Sequence, residues 1–314
     1  MILIIGETAS GKGKLAFDLA KSLDAEIISI DSMKVYRRMD IGTAKPSREV
    51  REKIKHHLID IIEPSDSFSV GVFHEKALEA VNQIKSRGRR VIAVGGTALY
   101  IKALLYGLFE GAGTDEKIRA ELAARAETEG LDKLYHELSK IDSVAAERIN
   151  PNDSKRIIRA LEVFEITGKP ISSFQKQWET HNAQSGVGES QHDWTIVGLR
   201  REKTDVNSRI NQRVKKMILA GFVDEVKSLL EEKKPLSKQA QCAIGYAEII
   251  KHLNGHIDLK DAIELTKKNT RRLAKGQRTW FKTFRNVRWL DVEPDESSEK
   301  IFTRMQENLS DILT

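Results

Sequence analysis

A glycine loop, Gly6-Glu7-Thr8-Ala9-Ser10-Gly11-Lys12, stands between the β-branched run Ile2–Ile5 and the amphipathic stretch Lys14–Ser22, and that order leaves few folds open. The spacing fits the phosphate loop G-x-x-x-x-G-K, which belongs between a strand and a helix. Successive backbone N–H groups and the helix N-terminus then form an anion nest, and Lys12 reaches the terminal phosphate. The residue after the lysine ordinarily gives a hydroxyl to Mg2+; here it is Gly13, which has none.

The rest of the chain extends this strand-loop-helix unit into an α/β protein. Short apolar runs recur at Ala25–Ile30, Leu58–Ile62, Val91–Val94, Trp194–Leu199 and Val287–Leu290, with helical patterns between them. Alternation of this kind predicts a P-loop NTPase-like parallel sheet with helices on both faces and ligands beyond the carboxyl ends of the strands. From Asp115 to Phe174 the strand signals vanish in favour of alanine, leucine and glutamate, which predicts an inserted all-helical lobe. Gly111 and Gly113 mark its entry, and the polar stretch Thr180–Asp193 reads as its exit. The expected domains are therefore residues 1–112 with 190–314, carrying basic C-terminal helices, and an insertion over 113–189. Helices dominate again at Arg209–Leu230, Tyr246–Leu253 and Asp261–Phe284.

A chain of 314 residues that is 40% apolar and 31% charged has a core to bury, which excludes a disordered or collagen-like chain. The apolar start, Met1–Ile5, is far short of a bilayer span and no charged leader precedes it. Cys242 is the one cysteine, so neither an intrachain disulfide nor a multi-cysteine zinc site can form. These features predict a cytoplasmic protein that does not engage membranes. The net charge of +6 is unevenly spread: Lys267, Lys268, Arg271, Arg272, Lys275, Arg278, Lys282, Arg285 and Arg288 fall in one segment with no acidic residue among them. A solvated helix face normally mixes signs, so this segment predicts a polyanionic partner. Trp280, Phe281, Phe284 and Trp289 are interleaved with the cations and either stack on bases or belong to the core.

Three further elements belong to the phosphate-loop edge of such a sheet. Asp31 ends the second strand, where a carboxylate serves either as a general base or as a helix cap. Gly95-Gly96-Thr97 follows another strand, and its threonine either donates to a phosphate oxygen or shapes a turn. Arg209 and Arg213, four residues apart on one helix, are placed to clamp an anion together.

Longer strings make a family resemblance specific. Asp31-Ser32-Met33, Met39-Asp40-Ile41-Gly42-Thr43-Ala44-Lys45-Pro46, His56-His57-Leu58-Ile59-Asp60, Gly95-Gly96-Thr97, Leu99-Tyr100-Ile101-Lys102-Ala103-Leu104, Arg159-Ala160-Leu161-Glu162-Val163, Ile244-Gly245-Tyr246 and Thr279-Trp280-Phe281 together resemble the tRNA dimethylallyltransferases, nearly end to end. The lack of cysteine and histidine clusters resembles the bacterial form rather than the zinc-finger-bearing eukaryotic one. The resemblance implies transfer of a dimethylallyl group from its diphosphate to N6 of adenine 37, beside the anticodon, in tRNAs reading codons that begin with U. It implies Mg2+ as cofactor, no metal-ligating cluster in the protein, and a monomer.

By the same resemblance, Asp31 and Thr97 are catalytic. Gly6, Glu7, Thr8, Ala9, Ser10, Gly11, Lys12, Gly13, Arg209 and Arg213 form the diphosphate/nucleotide-binding set. Asp31, Ser32, Met33 and Lys34 meet the extruded base, while Arg119, Lys155, Arg156, Ile157, Ile158, Arg159, Lys275, Gln277, Arg278 and Lys282 contact the anticodon stem-loop. The family pattern also implies proline at Glu7, threonine at Gly13, glutamine at Lys34, glycine at Arg38 and Ala98, lysine at Ala247 and arginine at Gly276. Arginine at 38 is expected to need an unstrained backbone. These departures keep two alternatives in view: a diverged homologue that binds tRNA with little transfer, and a P-loop kinase of small molecules.

Overall fold

In the computed structural model, which describes residues 1–108, 113–174 and 193–313, the apolar runs pair into a single six-stranded sheet. Its strands are β1 (Ile2–Gly6), β2 (Ala25–Ile30), β3 (His56–His57), β4 (Arg90–Gly95), β5 (Thr195–Arg201) and β6 (Val287–Val292), in the spatial order β3-β2-β4-β1-β5-β6. Every pairing is parallel. β1 and β2 are buried along their whole length, as strands covered on both faces must be.

Alternate side chains sort the two faces. Ile2, Ile4, Ile27, Ile92 and Val197 pack with Leu15 and Leu19 of α1 (Lys12–Ser22) and, from near the C-terminus, with Ile301 and Met305. α2 (Arg48–Lys53) is a short surface turn. α3 (Val70–Ser86) buries Phe73, Ala77, Val81 and Ile84, and α4 (Ala98–Tyr106) follows β4; Phe73 and Tyr100 of these two helices stack with ring centroids 4.2 Å apart.

Leu58–Ile62 is not the expected strand. Leu58 and Asp60 take left-handed backbone angles, φ 62° and 55°, so β3 ends at His57 and Ile62 makes only an isolated parallel bridge to Tyr36. Lys45, its ammonium buried, binds the Asp60 carboxylate at 2.6 Å, and Arg51 binds the same carboxylate. Arg38 likewise lies at φ 62°, contrary to the unstrained backbone expected there, and it is anchored by Glu63 at 2.6 Å and Glu232 at 2.6 Å.

The chain forms two compact units, Met1–Leu105 with Ser190–Thr314, and Tyr106–Glu189. The second begins earlier than the expected 113; Gly111 and nearly all of the expected exit, Thr180–Asp193, lie outside the described residues. It is helical, with α5 (Glu116–Thr128), α6 (Leu131–Ile141), α7 (Ser143–Arg148), α8 (Ser154–Thr167) and α9 (Ile171–Phe174). Asp115, Asp142 and Asp153 cap α5, α7 and α8 through their side chains. Leu122, Leu134, Leu138, Ile157 and Leu161 form a core of its own.

Beyond β5 come α10 (Lys203–Leu219), α11 (Phe222–Leu230), α12 (Lys238–Gln241), α13 (Tyr246–Leu253), α14 (Leu259–Phe281), α15 (Ser298–Asn308) and α16 (Ser310–Leu313). The single helix expected over Arg209–Leu230 is two, because Gly221 turns left-handed at φ 91° between them. Among the described residues, no helix is long and apolar enough to cross a membrane.

Candidate active site

Because β2, β4 and β1 are parallel neighbours, whatever follows each strand emerges at one sheet edge. The three followers are Asp31, Gly95-Gly96-Thr97 and the phosphate loop. Gly96 N–H donates to the Ile30 carbonyl at 3.3 Å, and Ser32 N–H donates to Thr97 Oγ1 at 3.2 Å, which knits the first two together. A Cβ on Gly95 would come within 2.0 Å of the Ile30 oxygen, so only glycine allows this approach. Asp31 Oδ1 accepts from the amides of Met33 at 2.9 Å and Lys34 at 3.2 Å; among the described residues its Oδ2 takes no hydrogen bond.

The phosphate loop closes on itself through Ser10 N–H to the Glu7 carbonyl at 3.1 Å, with Ala9 at φ 65° and Gly11 at φ 98°. α1 then begins, and its leading amides lack intrahelical carbonyls. Three arginines hold the outer wall. Arg201 Nε donates to the Ser10 carbonyl at 2.8 Å, Arg209 Nε donates to the Ala9 carbonyl at 2.8 Å, and Arg213 donates to Thr8 Oγ1. On the inner side Gln277 of α14 accepts from Thr8 N–H at 2.8 Å and donates to the Gly96 carbonyl at 2.9 Å. Arg278 binds both oxygens of the buried Glu7 carboxylate at 2.8 Å.

The charge balance of this edge is positive. Burial, aided by the nearby Lys34 and Arg213 and opposed by Asp31 and Glu7, lowers Lys12 to about 7. Burial also lowers Lys34, Arg209 and Arg213, while Asp31 opposes the shift at Lys34 and Arg213. Arg213 Nε is buried and has no hydrogen-bond partner. Two lysines and two arginines therefore gather beside two carboxylates, Asp31 and Glu7, an arrangement suited to an anion of more than one charge. Arg213 also lines a groove of about 340 Å³ with Asp40, Ile41, Ala44, Lys45, Lys216, Met217 and Ala220. Its wall is fixed by Glu225, whose carboxylate accepts from the amides of Asp40 at 2.9 Å, Ile41 at 2.7 Å and Gly42 at 3.2 Å and from Tyr246 Oη at 2.6 Å.

The residues offer Mg2+ no inner ligand of the expected kind. Position 13 carries no side chain, Thr8 Oγ1 is occupied by Arg213, and Ser10 Oγ is fully buried without a partner. Among the described residues no three acidic, histidine or cysteine side chains gather around a point.

The remaining expected residues fall in two places. On α14, Lys267 pairs with Glu264 at 2.7 Å, Arg271 binds Asn211 at 2.7 Å, and Arg278 binds Glu7; past its end, Arg288 pairs with Asp311 at 2.6 Å. The segment thus finds counter-charges that its own sequence lacks, while Lys268, Arg272, Lys275 and Lys282 stay exposed. Phe281 and Phe284 are core residues and Trp280 is exposed. In the helical unit Glu162 is buried and accepts from Arg119 at 3.0 Å, Arg159 at 2.8 Å and Asp115 N–H at 2.9 Å. Ile157 there is buried, whereas Lys155 and Arg156 are exposed. Arg201 and Glu225 lie outside the expected set. Their part depends on β5 lying beside β1 and on α11 approaching residues 40–42, neither of which a local pattern encodes.

Comparison with known proteins settles what kind of chain carries this edge. The family model described as IPP transferase matches residues 34–284. The chain belongs to the IPP transferase family. It is 44% identical over 291 residues to the tRNA dimethylallyltransferase of Geobacter metallireducens, covering 93% of this chain and 92% of that one. With the tRNA dimethylallyltransferase of Acetivibrio thermocellus it shares 42% over 307 residues, covering 98% and 96%. Among solved structures of the IPP transferases, the full-length tRNA isopentenylpyrophosphate transferase of Bacillus halodurans matches with a TM-score of 0.72 at 39% identity, over 99% of this chain and 96% of that one. A eukaryotic dimethylallyltransferase acting on tRNA matches with a TM-score of 0.76 at 28% identity, over 99% and 76%.

Proposed function

We propose that this IPP transferase family member is a tRNA dimethylallyltransferase that alkylates N6 of adenine 37, acting as a monomer in the cytoplasm. The observation that carries the reading is the half-buried cluster of basic side chains Lys12, Lys34, Arg209 and Arg213 on the same strand edge as Asp31 and Thr97. The family membership and the named relatives supply the substrate class.

The chemistry follows from that edge. Dimethylallyl diphosphate lodges its diphosphate on the loop amides and Lys12, and its apolar tail suits the groove that Arg213 shares with Ile41, Ala44 and Met217. As the C1–O bond breaks, charge grows on the leaving oxygen, and the fixed cations stabilise it. The adenine leaves its stack, at a cost of a few kcal/mol, to bring N6 to C1. N6 attacks C1, and the proton it sheds passes to Asp31 Oδ2, whose partner oxygen Oδ1 is held by two amides. Thr97 Oγ1 accepts from Ser32 N–H, which ties the turn after β4 to the turn that carries Asp31. The exposed Lys268, Arg272, Lys275 and Lys282 on one unit, and Lys155 and Arg156 on the other, supply phosphate contacts to the anticodon stem-loop. Mg2+ would have to enter with the donor, where it would supply charge neutralisation of the leaving group, since Gly13 has no side chain to hold it.

The test is incubation with undermodified tRNA, labelled dimethylallyl diphosphate and Mg2+. Label is expected on adenine 37. Movement of labelled phosphate from ATP to a small acceptor, without prenyl transfer, overturns the reading in favour of a kinase.

A further inference from the structure

Two consecutive residues of α14 grip the phosphate loop by different means. Gln277 binds the backbone at Thr8 and Gly96, and Arg278 binds the Glu7 side chain. The second grip is unusual for an anion site, because it places a carboxylate within the loop that must receive a diphosphate. Glu7 is 4% exposed, and burial pushes its pKa up even though Arg278 and Lys12 pull it down. Lys12 donates to the Glu7 carbonyl at 3.2 Å, so the acid and the loop lysine share one small volume. Arg278 engages Glu7 through one nitrogen, and its buried Nε has no partner.

We propose that Glu7 is an internal counter-ion that sets how tightly the loop holds diphosphate. It acts through Arg278, which it keeps away from the ligand, and through the local potential, which it lowers beside Lys12 and the other basic side chains of the loop. A site built only of cations would keep the leaving diphosphate after transfer; a fixed carboxylate favours its departure. Glu7 is thus a positioning residue for Arg278 and an affinity-setting residue for the diphosphate. The proposal rests on reading the loop as a diphosphate site.

Calorimetric titration of the full chain with inorganic diphosphate tests it. Glu7→Gln keeps the shape and an acceptor for Arg278 while removing the charge, and it is expected to tighten binding about tenfold. Glu7→Asp keeps the charge on a shorter arm, and is expected to fall between the two. Arg278→Gln is expected to weaken binding about as much, with affinity recovering as pH falls and Glu7 takes a proton. Asp24→Asn, an exposed acid paired with Arg89, controls for net charge and should change binding less than about twofold. In turnover, Glu7→Gln should lower the donor KM and leave the tRNA KM unchanged. Wild-type binding of diphosphate with Glu7→Gln no tighter, in protein that melts normally, overturns the counter-ion role alone. No diphosphate binding by any of these proteins removes the diphosphate site itself, and this proposal with it.

Discussion

Asp31→Asn separates the two duties that Asp31 combines. Oδ1 shapes the turn by accepting from Met33 N–H at 2.9 Å and Lys34 N–H at 3.2 Å, while Oδ2 is the proposed proton acceptor. Asparagine keeps the first oxygen and replaces the second with a donor NH2. The turn therefore survives, and stability should change by less than about 1 kcal/mol. A positioned base is worth about 10²–10⁴ in rate, so single-turnover transfer should fall by that factor, about 3–5 kcal/mol of barrier. Asp31→Ala removes both oxygens. It should add a stability loss of about 1–3 kcal/mol from two unsatisfied amides, visible as a melting midpoint lower by about 2–4 °C per kcal/mol. The assay is single-turnover transfer of labelled donor into an anticodon stem-loop, paired with thermal melting and tRNA binding on the same preparations. Asp31→Asn transferring within about tenfold of wild type would refute a proton-accepting Oδ2, as would rates that track only the melting midpoints of both variants.

Other perturbations probe the rest of the edge. Burial holds Lys12 at about 7, so it is charged below that pH, neutral above it, and recharged by a bound anion; diphosphate binding near pH 8 should take up close to one proton. Calorimetry in buffers of differing ionisation enthalpy reads this uptake, and its absence would refute the buried, deprotonated lysine. Replacing exposed Lys268, Arg272, Lys275 and Lys282 with glutamine should flatten the log–log salt dependence of tRNA binding by about 0.7–0.9 for each phosphate left without its cation, whereas Arg288→Gln should lower stability and leave the slope intact. Gly42→Ala would place a methyl 2.3 Å from the Phe222 ring and 2.5 Å from Tyr246, and should cost about 1–3 kcal/mol in denaturant unfolding. At Gly13 nothing beyond the adjoining residues and α1's own backbone lies within 4 Å of an added Cβ, so Gly13→Thr should fold normally and make transfer saturate at lower Mg2+; an unchanged Mg2+ dependence would show that the hydroxyl does not reach the metal.

What could be read in advance was local. The β1-loop-α1 unit announces itself because glycine spacing, a β-branched run and an amphipathic helix agree. Asp31 and Gly95-Gly96-Thr97 could be assigned to the same edge because parallel strands share their direction. What escaped reading depends on contacts between distant segments. Gln277 meets Thr8 across 269 positions and Arg201 meets Ser10 across 191, and no periodicity reports such pairs. The basic segment is the clearest case. Its lack of internal acids suggested cations without counter-charge, yet Glu7 and Asp311, each far off in sequence, neutralise two of them. Leu58–Ile62 misled for a different reason: its apolar content fits a strand, but the Lys45 and Arg51 bonds to Asp60 favour a turn that composition does not reveal.

The sheet order also has a bearing on biosynthesis. β1 is flanked by β4 on one side and β5 on the other, and β5 is translated only after the helical unit. A nascent chain can join β1, β2, β3 and β4 early, but the second border of β1 then stands bare, with its hydrogen-bonding groups open, until the ribosome has delivered residues 195–201. During that interval the half-built sheet offers a template to any stray strand. Slowed synthesis across the helical unit should therefore favour aggregation, while an insertion with a core of its own shortens the exposure by compacting the chain that separates the two partners.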